Sequence, residues 1–208
     1  THNGGNDFIS RYDVAAGTAE KFVDTPDGVL QGIAKIKDTF ISGDRGSGKI
    51  YVIQNREIVN TAVDDDIDHF YLGYLEEING QLVSLTNDGS NNMLEVVDIE
   101  KIIPKTFPQR CTIGMNELQP AGITATEDRL VVAVQGESFT KVVVLDHECS
   151  IVDEMLMPFE AEDIAFDNGR FYVLTFEHAA KARIHIMDEN LQQIEEFDLE
   201  GSKFTAGT

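Results

Sequence analysis

Short apolar runs, each closed by turn-forming residues, recur along the whole chain. The clearest stretch is 118–157, which reads as strands at 121–126, 129–134, 140–145 and 151–156. A turn at Glu127-Asp128, a loop at 135–139 and a turn at 146–149 separate them. Valines crowd the second and third strands, and continuous β-branched sequence suits a strand covered on both faces. The last strand interleaves Asp153 and Glu154 with apolar residues, as an outer, half-solvated strand does. Strands joined in order by short connections make an antiparallel meander.

That meander repeats. The first strand of each unit opens on a small or acidic residue followed by an apolar one: Gly32-Ile33-Ala34, Gly73-Tyr74-Leu75, Gly122-Ile123-Thr124 and Asp163-Ile164-Ala165. These recur at intervals of roughly 40–50 residues, the spacing of solenoids and propellers. Small residues there suit strands converging on a crowded axis. Third strands are expected at 49–53, 93–97, 140–145 and 183–187, with an earlier copy at 8–12. Fourth strands are expected at 19–23, 57–63, 101–107, 151–156 and 192–199. Asn79-Gly80 and Asn168-Gly169 are pairs preferred in type I′ hairpins. Asp13, Asp98, Asp146 and Asp188 follow third strands, where a carboxylate accepts N–H bonds inside the next turn.

Complete units therefore span 30–69, 70–116, 117–158 and 159–200. Residues 1–24 supply a third and a fourth strand, and 201–208 the start of a first. The expectation is an all-β single domain over 1–208: a β-propeller of four-stranded antiparallel blades, five in number, with an incomplete closing blade formed by both termini. Otherwise the chain is part of a larger propeller, or a partner supplies the absent strand.

The pattern over about 31–199 resembles the YVTN-type repeats of surface-layer and quinoprotein-dehydrogenase-like β-propellers. The resemblance rests on Gln31-Gly32-Ile33-Ala34, Pro120-Ala121-Gly122-Ile123, Phe171-Tyr172-Val173-Leu174 and the Asp after third strands. Phe171-Tyr172-Val173-Leu174 comes nearest to the YVTN tetrapeptide, which is not intact. Families with this look include binding proteins, surface proteins and some metal-dependent hydrolases, so the resemblance implies architecture and leaves activity open.

Composition narrows the partners. Asp and Glu outnumber Lys and Arg 37 to 16, a formal charge of −21, which repels nucleic acid and anionic membranes. No apolar run approaches the ~20 residues that cross a bilayer, so no membrane insertion is expected. The charge suits cations, basic ligands or simple solubility. Cys111 and Cys149 fall at opposite ends of adjacent units in this scheme, so a disulfide between them is not expected. The chain opens on Thr1 rather than Met, and with the resemblance this tilts the expected location toward an extracytoplasmic or surface-exposed setting.

Loops joining fourth to first strands and second to third strands share one face of a propeller, where blades can each contribute a residue near the axis. Here that face is rich in Asp, Asn and Glu. Asp64, Asp66 and Asp68 place oxygens at alternate positions, able to wrap a hard cation such as Ca²⁺, and Asp88 lies in a similar Asn-rich loop. An EF-hand is excluded, because His69 and Leu75 stand where Gly and Glu belong. A solvated acidic turn is the plainer account. The P-loop-like spacing at 43–49 is rejected, since a strand follows where the phosphate-cradling helix must begin. No other cofactor is indicated.

Paired carboxylates can serve glycoside hydrolysis. The candidates are Asp163, Glu162, Glu117, Glu177 and Asp64, with His178 or His69 assisting. Asp163 stands out by replacing the Gly of other units, although bonding backbone at the channel mouth would also explain it. The five histidines show no metal-ligand spacing, and the chain has no Trp for stacking sugars. The sequence thus favours a non-catalytic binding or surface module engaging a protein or glycan through its acidic loop face, with oligomerisation or a larger assembly expected of an incomplete ring. The alternative is a Ca²⁺-dependent hydrolase of glycosidase or lactonase type. A third reading, a structural virion or surface-layer subunit, would show large subunit contacts.

Overall fold

A computed structural model describes residues 7–13, 15–25, 30–44, 49–63, 74–78, 80–87, 90–97, 109–115, 117–177 and 181–199. All its regular elements are strands. An N-terminal hairpin comprises β1 (Asp7–Asp13) and β2 (Thr18–Thr25). Blade 1 contains β3 (Leu30–Ile36), β4 (Thr39–Asp44), β5 (Lys49–Gln54) and β6 (Glu57–Val63). Blade 2 contains β7 (Tyr74–Ile78), β8 (Gln81–Asn87), β9 (Asn92–Val97) and β10 (Gln109–Gly114). Blade 3 contains β11 (Gln119–Ala125), β12 (Leu130–Gln135), β13 (Thr140–Leu145) and β14 (Ile151–Met157). Blade 4 contains β15 (Ala161–Asp167), β16 (Arg170–Glu177), β17 (Lys181–Met187) and β18 (Gln193–Asp198).

Each blade is a four-stranded antiparallel meander in sequence order, and β1–β2 form a separate two-stranded sheet. The described chain is therefore a β-propeller of four such blades plus a hairpin. The expected completion of a fifth blade by 201–208 lies outside the described residues. Innermost strands β3, β7, β11 and β15 lie side by side in chain order.

The core sits in the seams between blades. Ile78, Val83, Leu85 and Leu94 of blade 2 pack with Ile123, Leu130, Val132 and Val143 of blade 3. The opposite face of blade 3 uses the alternate residues Val131, Ala133 and Val142, which pack with Ile164, Phe171 and Val173 of blade 4. This is why β12 and β13 read as unbroken apolar sequence: both faces of a middle strand are interior. Outer strands lack that second cover, and β14 and β18 are exposed along most of their length.

The turns follow local chemistry. Asn168 and Gly169 hold φ 51° and 76°, as a type I′ hairpin requires. Asp146 Oδ1 accepts the N–H groups of Glu148 (2.9 Å) and Ser150 (2.8 Å). Asp188 repeats the device with Asn190 and Gln192, both at 2.9 Å, and Asp13 accepts from Ala16 N–H at 2.9 Å. In blades 2 and 3, a polar residue opening the third strand ties the blade to the chain entering the next. Asn92 Nδ2 donates to the Met115 carbonyl at 2.8 Å. Thr140 Oγ1 donates to the Phe159 carbonyl (2.9 Å) and accepts Ala161 N–H (2.7 Å).

Two expectations are corrected. The fourth strand of blade 2 is Gln109–Gly114, not 101–107, which lies outside the described residues. Alternation explains it: Cys111 and Ile113 point inward at 5% and 6% exposure while Thr112 faces out. As a result Cys111 belongs to a strand rather than to the loop that follows one. The second correction follows, because the near end of that strand meets the turn between β13 and β14. Cys111 and Cys149 form a disulfide with Cα atoms 5.7 Å apart, stapling blade 2 to blade 3.

Candidate functional site at the inner strands

Counting back from the pair that closes each first turn sets the equivalences. Ile36 with Thr39, Ile78 with Gln81, Thr126 with Arg129 and Asp167 with Arg170 are those pairs. Gly32, Tyr74, Gly122 and Asp163 then share one position, and Ala34, Glu76, Thr124 and Ala165 share another two residues on. Tyr74, rather than Gly73, is the counterpart in blade 2. A one-residue bulge precedes Ile33, Gly122 and Asp163 in their strands, re-aiming the residues beside it.

Asp163 needs the glycine of its neighbour. A Cβ on Gly122 would lie 2.7 Å from Ile164 N and 2.9 Å from Asp163 Oδ1, so β11 and β15 approach closely only because that carbon is missing. Thr124 Oγ1 accepts Phe166 N–H across the same junction at 2.9 Å. Its side chain also bonds the Glu76 carboxyl arriving from β7. Adjacent strands of three blades thus bring together Glu76, Thr124 and Asp163, with Glu162 beside Asp163 in the bulge.

Burial pushes the Glu76 carboxyl up to about 7, opposed by the N–H of Glu77 and reinforced by the charge of Asp163. Burial likewise pushes Asp163 up to about 7, opposed by its bond from Ile164 N–H (2.9 Å) and reinforced by Glu162. Glu162 is raised too, by burial and then by Glu160. The two deeper carboxyls repel, so whichever ionises second carries the penalty. Among the described residues no Lys or Arg forms an ion pair with any of the three. The group can give and take protons near neutrality, and its ionised form favours a positive charge beside it.

Of the residues singled out in the sequence, Asp163 and Glu162 are in this group, and Asp163 Oδ1 accepts the N–H of the next residue, Ile164. Glu117 is exposed in the loop before β11, apart from them. The Glu177 side chain, His178, His69, Asp64, Asp66, Asp68 and Asp88 lie outside the described residues. Glu76 was not anticipated. Its signal was present, since a Glu two places into a short inner strand occupies a slot that holds Ala, Thr and Ala elsewhere. Among the described residues no group of three His, Cys, Asp or Glu side chains could hold a metal ion. His185 is buried, bonded to Thr175 and Gln193 at 3.1 Å each and stacked on Phe159 at 4.4 Å. It works as a packed internal polar residue.

No protein-family model matches the chain, and no curated protein matches its sequence. Solved structures do match. A nidogen/laminin complex is 14% identical with a TM-score of 0.58, covering 91% of this chain and 71% of that one. Virginiamycin B lyase from Staphylococcus aureus is 14% identical with a TM-score of 0.53, covering 94% and 78%. The Dos1 propeller is 10% identical with a TM-score of 0.50, covering 90% of this chain and 52% of that one. The shared property is the propeller fold. One neighbour is named for a complex and another for a lyase, so the fold is common to binding modules and enzymes. Among the described residues no helix is long and apolar enough to cross a membrane.

Proposed function

We propose that this chain is a non-catalytic binding propeller of YVTN-type repeats, engaging a protein or glycan partner through its acidic loop face. One observation supports the reading: Glu76, Asp163 and Glu162 converge on adjacent inner strands, among the described residues no Lys or Arg pairs with them, and burial raises all three titration points, so a basic partner group would favour their charged forms. A basic group on the partner, a Lys or Arg side chain or an amino sugar, would lower those pKa values by binding, so affinity rises with pH. The staple between Cys111 and Cys149 supports an extracytoplasmic setting, where disulfides persist.

The test is to immobilise the chain and challenge it with glycans, including amino-sugar oligomers, and with basic and acidic peptides. Basic ligands should be retained better at pH 8 than at pH 5, and the E76Q/D163N double variant should lose that preference. Retention indifferent to ligand charge, or unchanged in the variant, would sink the reading.

A second reading is favoured by the same titration points, because carboxyls poised near 7 suit general acid and base roles. It is a hydrolase of glycosidase or lactonase type. Its Ca²⁺ would have to draw on Asp64, Asp66, Asp68 or Asp88, since the described carboxyls do not fit a metal centre on their own. Turnover of aryl glycosides or lactones that is lost in E76Q and D163N would select it over binding alone.

A further inference from the structure

At the end of blades 3 and 4 that carries the β11–β12, β15–β16 and β17–β18 turns, the seam between the two blades stays open. A cleft of ≈ 510 Å³ lies there. Its apolar floor is Val131 and Val144 from blade 3 with Phe166, Phe171 and Leu191 from blade 4. The two Phe rings sit 4.8 Å apart at 51°, Phe171 buried and Phe166 half-buried. Glu127, Asp128 and Arg129 form one lip and Glu189 the other. Arg129 is turned to Asp128 at 3.5 Å, which leaves Glu127 and Glu189 as the excess charge. Glu189 Oε1 stands over Gly169, 3.2 Å from where a Cβ would be.

The preceding seam shows how such a corner can be shut. Cys149 and Leu191 occupy the same turn position, with φ 70° and 59° and N–H bonds to Asp146 and Asp188 carbonyls. Cys111 pairs with Leu94 and Met155 with Val142 at matching register positions. Where blades 2 and 3 carry a covalent staple, blades 3 and 4 carry Met155 and Leu191, and the corner above Leu191 is free to hold something else.

We propose that this cleft binds a small amphipathic organic cation, an aromatic amine by class. Its ring lies on the Phe166, Phe171 and Leu191 floor, and its ammonium sits between Glu127 and Glu189. The volume is that of a small-molecule site, apolar within and polar at its edge. Three carboxylates against one guanidinium, on a chain of formal charge −21, set the sign of the ligand. The site is separate from the inner-strand carboxyls and does not depend on them.

The experiment is methyl NMR on Val- and Leu-labelled protein titrated with phenethylamine, phenylacetate and 2-phenylethanol in the millimolar range. Phenethylamine should shift the Val131, Val144 and Leu191 methyls saturably, and phenylacetate should leave them in place. Glu189→Lys, at an exposed position, should weaken phenethylamine by about tenfold. Glu127→Lys provides the same test should that variant fold poorly. Unmoved methyls would overturn the proposal, as would equal affinity for phenylacetate or 2-phenylethanol, or unchanged affinity in the folded Lys variants. The E76Q/D163N variant should bind phenethylamine like the parent, which separates this site from the inner-strand carboxyls.

Discussion

Glu76 and Asp163 set how stability responds to pH. Each titrates at about 7 in the folded chain, against ordinary values of 4.5 and 3.8. Between those limits the folded state holds more protons than the unfolded one. Stability therefore falls as pH rises from about 4 to about 7 and stays lower above that range. Glu76→Gln or Asp163→Asn removes the ionisation and should stabilise the protein at pH 8 by roughly 1–3 kcal/mol, with little gain at pH 4. The double variant should gain less than the sum, because each substitution also relieves its neighbour. Circular-dichroism melts at both pH values measure this, and a gain of equal size at pH 4 would refute the assignment.

Among elements, the junction of β11 with β15 is the most constrained. Gly122→Ala forces a carbon against Ile164 N and Asp163 Oδ1, 2.7 and 2.9 Å away, and neither strand can yield without breaking its ladder. A loss of about 1–3 kcal/mol is expected from overpacking of this kind. The Asp163 titration, followed by carboxyl NMR, should move with it. The staple between β10 and the β13–β14 turn closes a span of 38 residues. Replacing both cysteines by Ala should cost about 3–4 kcal/mol on chain-entropy grounds. A chemical-denaturation midpoint unchanged in that variant would show that the unfolded chain is already compact there. The strands themselves were legible in the sequence, because alternation and turn residues are local. The fourth strand of blade 2 was less legible, because the alternation that marks it, Cys111 and Ile113 inward with Thr112 outward, runs over only three residues.

For the whole molecule, the acidic excess is a global field, and blades pressed together concentrate it. Salt shortens the reach of that repulsion to about 8 Å at physiological strength. The melting temperature should rise with added NaCl at pH 8, and a flat or falling dependence would contradict a net repulsive surface. The interblade seams predict a matching pattern of amide exchange. β12 and β13, interior on both faces, should be the last to exchange, and the exposed β14 and β18 among the first. Early exchange of β12 would mean that blade 3 is not the centre of the core.

By itself the sequence determined the meander, its repetition and most turns, since each depends on residues a few places apart. Only the tertiary structure decided that Cys111 meets Cys149, that Glu76 shares a site with Asp163, and that the last seam opens beside Leu191. Those outcomes depend on how closely and at what angle successive blades pack, and that geometry arises from contacts between residues a whole blade or more apart in the chain.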